Sequence, residues 1–169
     1  MHNKSILTKI LGFSAGLLAL TCPALAQEVA HGNGALELFD AEGQANSPLW
    51  VQIWLPILLA SFILGLFFVR SRVEARWVVG CVIAGFVAMG ILMAGFGMPQ
   101  LSGFIALMHL IFWTPALIVL LKRRTFLSES SLYAKWTGLV TATILFSFIF
   151  DIRDAAIYLD HILGIGVLS

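Results

Sequence analysis

Residues 77–97 read WVVGCVIAGFVAMGILMAGFG, an apolar run without one charged side chain. A hydrocarbon core roughly 30 Å thick is crossed by about 20 helical residues at 1.5 Å each, and this run has that length. It lacks the polar face that a 3.6-residue amphipathic period would give a helix on a soluble core. The run therefore reads as a transmembrane helix, and it decides the fold class. Three stretches around it read the same way: residues 49–69, 103–121 and 136–152, the last apolar up to Asp151. The expected architecture is all-α, a bundle of four transmembrane helices.

Composition agrees. Hydrophobic residues make up 60% of the chain and charged residues 11%, against about 45–50% and 25% in soluble domains. So little charge argues against a soluble enzyme and against disorder. A net charge of +1 offers no basic field for nucleic acid.

Residues 1–26 have the layout of a cleavable secretory signal peptide. Lys4 and Lys9 precede an apolar stretch at 10–20, and Ala24-Leu25-Ala26 follows Pro23 as a cleavage site. Cleavage removes Cys22 and leaves Cys81 as the single thiol, which excludes an intrachain disulfide and a thiolate metal site.

Orientation follows from charge. Every basic residue after Ala26 except Arg153 lies in one of two short connections, Arg70, Arg72 and Arg76 in the first and Lys122, Arg123, Arg124 and Lys135 in the second. The positive-inside rule puts both on the cytoplasmic side. The arm at residues 27–48 and the tail at residues 153–169 are then periplasmic, as an exported N-terminus also requires. This is the topology of a multi-pass protein of the bacterial inner membrane. In the arm, residues 35–39 suit a short interfacial helix ended near Gly43; in the tail, residues 155–168 suit an amphipathic one.

In lipid, helices associate through close backbone approach rather than through hydrophobicity. Gly80, Ala84 and Ala88 form one row of small residues and Gly90 and Ala94 another, the expected packing face of the second span. Trp50, Trp54, Trp77 and Trp136 sit near span ends, as interfacial anchors do. Trp113 lies deeper.

One polar constellation stands out. Ser147, Asp151, Asp154, Tyr158 and His161 recur in steps of three and four, which places them on one face of the fourth helix. Counted from Lys135, Asp151 falls about 6 Å inside the outer boundary. His109 falls on the order of 10 Å below the same surface, with Gln52 on the first span at similar depth. Ionisable groups at such depth are costly and normally face a partner or a wet cavity. A carboxylate meeting an imidazole there would bind a proton or a small cation. The competing reading makes Asp151 and Asp154 the hydrated end of a short helix and His109 a satisfied core residue.

No nucleophile–base set, phosphate loop or dinucleotide fingerprint is present, so no catalytic residue is expected. His31, His109 and His161 supply no zinc set, and no resident cofactor is expected; haem ligated through His109 is the weakest option. The first expectation is a non-enzymatic accessory or structural subunit, self-assembled as a homo-oligomer or joined to other membrane subunits. The second is a small transporter or proton-coupled protein using the Asp/His site. The third is a redox membrane anchor.

Overall fold

The computed structural model describes residues 34–128 and 130–168. The signal-peptide reading and His31 lie outside the described residues. Among the described residues six α-helices follow one another: α1 (Ala41–Asn46), α2 (Leu49–Gly65), α3 (Val73–Phe96), α4 (Ser102–Arg123), α5 (Thr125–Ser128) and α6 (Leu132–Leu163). The chain is all-α. Val73–Phe96 and the helical stretch Ser102–Ser128 are each long and apolar enough to cross a membrane, while Leu49–Gly65 is apolar but shorter.

The helix ends have local causes. Asp40 caps α1 by accepting the Glu42 and Gly43 amides, and Ser131 caps α6 by accepting the Ala134 amide at 3.1 Å. No side chain caps α4. Its first amide, Ser102 N–H, donates to the Glu37 carbonyl at 3.0 Å, so the N-terminal arm closes that end. Gly97 ends α3 and Gly164 ends α6, both in the left-handed conformation that glycine adopts without cost.

Packing is organised around α4 and α6, which share the largest helix–helix interface and run antiparallel. One core cluster fills the end of the bundle near the basic connections, with Val78, Trp113, Leu120, Tyr133, Trp136 and Val140 at its centre. A smaller one at the other end joins Phe104, Met108 and Tyr158 to the methionines of α3. Gly103 is what brings α4 onto α6 there. A Cβ at that position would stand 2.6 Å from Tyr158 Cβ and 2.7 Å from the Asp154 carbonyl oxygen.

Several expectations are corrected. The arm holds a 3₁₀ turn at Gly34–Leu36 and a bridge between Leu38 and Leu101, not a helix over 35–39; the helix comes later and runs through Gly43, because Asp40 rather than Ala35 supplies a cap. The tail is not a separate interfacial helix. α6 continues unbroken to Leu163, and residues 165–168 fold back onto Asp160, whose carboxylate accepts the Val167 and Leu168 amides at 3.0 Å each. The face of α3 that packs within the chain is also displaced from the small-residue rows. Gly80, Ala84, Gly90 and Ala94 are exposed, and only Ala88 touches a core cluster. The buried face is Ala75, Val78, Val79, Val82 and Gly85, where Val side chains fill space that smaller residues would leave empty.

Candidate functional site

The antiparallel course of α4 and α6 pairs them rung by rung: Gly103 meets Tyr158, and one to two turns further along α4, His109 meets Asp151. Nδ1 of His109 lies 3.3 Å from Oδ2 of Asp151, across 42 residues of sequence. The side chains are 24% and 14% exposed, so the pair is half-buried rather than sealed. The separation exceeds the roughly 2.7–2.9 Å of a tight charge-assisted bond.

His109 is held from a second direction. Trp113, one turn on and 4% exposed, stacks on the imidazole with centroids 3.8 Å apart and planes 16° from parallel. Phe62 of α2 packs edge-on against Trp113 at 5.0 Å. Spacing of four along α4 makes the stack, since residues i and i+4 share a face. The imidazole is therefore fixed in plane by an aromatic and aimed along its edge at a carboxylate. An indole face is also a favourable neighbour for a cation.

The other predicted site residues divide. Asp154 lies next along the face and contacts Arg153 Nη1 at 3.4 Å, a neighbour-to-neighbour ion pair not expected from helical spacing. Ser147 is buried and accepts Trp54 Nε1–H at 3.4 Å, linking α2 to the stripe. Tyr158 is buried against Phe104 as core. His161 is exposed in the last turn of α6. Gln52 is not brought in: it is exposed, and its amide donates to the Ala45 and Ser47 carbonyls, closing the end of α1.

A second buried carboxylate escaped the sequence reading. Glu74, in the first turn of α3, is 7% exposed and accepts Thr125 Oγ1–H and Tyr133 Oη–H, each at 3.0 Å. Arg72 lies over the Tyr133 ring at 4.6 Å. This cluster ties α3 to α5 and α6 at the basic end, opposite the His109–Asp151 pair. Among the described residues, no group of three or more His, Cys, Asp or Glu is placed to hold a metal ion.

No protein-family model, curated protein or solved structure matches the chain.

Proposed function

We propose that the protein is a four-span protein of the bacterial inner membrane in which His109 and Asp151 bind and release a proton or a small cation at the periplasmic side. The observation that carries this reading is the pair itself, an imidazole and a carboxylate 3.3 Å apart, the imidazole on a helix long and apolar enough to cross a membrane. A carboxylate beside an imidazole makes proton uptake at one group depend on the other. Ionisable residues at membrane depth are expensive, and where they persist they mark proton or ion paths. Partial exposure supplies the access that exchange requires. Asp154 and Ser147 extend the same face of α6 on either side of Asp151.

The test is flux. Purified protein in liposomes carrying a pH-sensitive dye is expected to dissipate an imposed pH gradient, and Asp151→Asn and His109→Ala each to reduce that rate at least tenfold while inserting normally. Equal rates in wild type and both variants overturn the reading.

A second reading, a non-enzymatic subunit completed by copies of itself or by other membrane proteins, is favoured by the outward row of Gly90 and Ala94. A Cβ at Gly90 would meet nothing within 4 Å, which leaves that side of α3 open to another helix. A mass well above the monomer in gentle detergent is its expected signature.

A further inference from the structure

α3 and α4 leave a groove between them of about 480 Å³, whose lining includes Arg76, Trp77, Gly80, Ala84, Phe112 and Pro115. Gly80 forms its floor without filling it, since a Cβ there would meet nothing within 4 Å. From Arg76 to Ala84 the groove runs about 12 Å along α3 at 1.5 Å per residue. Its walls are apolar and its mouth is charged. Arg76 is fixed at that mouth, donating through Nε to the Val69 carbonyl at 3.0 Å and through Nη2 to the Arg70 carbonyl at 3.3 Å. Its Nη1 has no protein acceptor among the described residues. Further along α4, a second hollow is lined by Ile118, Leu121, Lys122 and Arg124. Steps of three and four from Ile111 through Pro115 and Ile118 to Lys122 keep these on one face of α4.

We infer that this groove binds an anionic phospholipid of the inner leaflet, one acyl chain lying along Gly80 and Ala84 and the phosphate held between Arg76 and Lys122. The inference rests on the membrane reading above but not on the proton site. Charge complementarity selects the occupant. A basic recess between transmembrane helices on the cytoplasmic side fits an anionic headgroup, and an arginine fork fits a phosphate. A second copy of this chain fits worse. Two copies inserted in one bilayer share an orientation, so docking this face on itself brings Arg76 and Lys122 of one molecule against the same positive charges of the other. The exposed Trp77 indole beside Arg76 suits the headgroup level.

The experiment is mass spectrometry of delipidated protein from detergent, with phosphatidylglycerol or phosphatidylcholine added back. Wild type is expected to take up one phosphatidylglycerol in preference to phosphatidylcholine. Gly80→Leu, which fills the groove while improving helix propensity, is expected to lose that binding at least tenfold. Gly90→Leu, equally open but outside the groove, is expected to keep it. Arg76→Gln is expected to lower the preference for the anionic lipid about fivefold, as removal of one interfacial charge does. Equal lipid uptake by Gly80→Leu and wild type overturns the assignment, as does equal affinity for the two lipids. A wild-type dimer that Gly80→Leu converts to monomer, with lipid uptake unchanged, assigns the groove to a second copy instead. Carbonate washing of membranes separates the two levels: a chain released by alkali refutes membrane insertion itself, whereas a retained chain without lipid selectivity refutes only the groove.

Discussion

Glu74 shows what a single buried side chain contributes here. Its carboxylate is the acceptor for two hydroxyls from other elements, Thr125 and Tyr133. Truncation takes this acceptor from both hydroxyls, and a buried group that loses its acceptor costs about 1–3 kcal/mol. Glu74→Ala is therefore expected to lower the detergent-denaturation midpoint clearly. Glu74→Gln, which keeps one carbonyl acceptor, is expected to lower it less. Adding Tyr133→Phe to Glu74→Ala removes both ends of one hydrogen bond, so the double variant is expected to lose less than the sum of the two single changes. Strict additivity would mean that the hydroxyls find other acceptors and that the cluster is not a tie. The cluster was invisible in the sequence because its partners lie 51 and 59 residues from Glu74, in segments that read only as loop and helix start. His109 and Asp151, 42 residues apart, were legible because both stand in apolar runs where depth is counted from the run's edge. The same counting put Gln52 at their level, but carbonyls at 45 and 47, close along the chain, claimed its amide instead.

At the scale of elements, the positions of the helices were legible and their contact faces were not. Run length locates a span, whereas its packing face depends on which residues its neighbours present. α3 illustrates this: its glycines and alanines recur at helical spacing, yet the side that packs within the chain, against α4 and α2, carries Val78, Val79 and Val82. The close approach comes from Gly103 on α4, a glycine at the end of a span that spacing did not single out. Gly103→Ala inserts a methyl 2.6 Å from Tyr158 Cβ and 2.7 Å from a backbone oxygen, neither of which is the loose end of a side chain. The helices must part, at about 1–3 kcal/mol for such overpacking. Gly90→Ala adds the same methyl to open space and is expected to be neutral or to stabilise by about 0.5–1 kcal/mol through helix propensity. Thermal unfolding in detergent compares them directly. Equal effects would mean that the α4–α6 contact at Gly103 does not hold the fold. α6 itself ran past its expected end because Asp151, Arg153, Asp154 and Asp160 signal a boundary by composition. A helix needs no apolar side chain to keep its backbone hydrogen-bonded, and it continues until Gly164 turns it.

For the whole molecule, the antiparallel rungs between α4 and α6 convert one helix's orientation into the other's. If the basic end of α4, with Lys122 and Arg123, stays in the cytoplasm, Ser102 lies outside, and Asp151 must lie at the outer level to reach His109. α6 must then leave the cytoplasm at Lys135 and emerge on the far side. Its 32 residues span about 48 Å at 1.5 Å each, against a hydrocarbon core of roughly 30 Å. The surplus falls at the outer end, because Lys135 is only three residues from the helix start. Asp154 then sits at the boundary and Asp160 and His161 beyond it, His161 exposed and the Asp160 carboxylate held by the Val167 and Leu168 amides. α2, with 17 residues, covers about 25 Å, and would need the apolar turns at residues 66–69 to reach the thickness of a hydrocarbon core. A periplasm-active reporter fused after Ser169 is expected to be active, and one fused at Ser128 to be silent. Activity at Ser128 with silence after Ser169 would invert the bundle and bring the His109–Asp151 pair to the cytoplasmic side. Silence at both would mean that α6 does not cross, and Asp151 would then lie at no membrane depth at all. Only the expected pattern leaves an imidazole and a carboxylate facing the periplasm from within the bilayer, which is the condition for the pair to exchange a proton with that compartment.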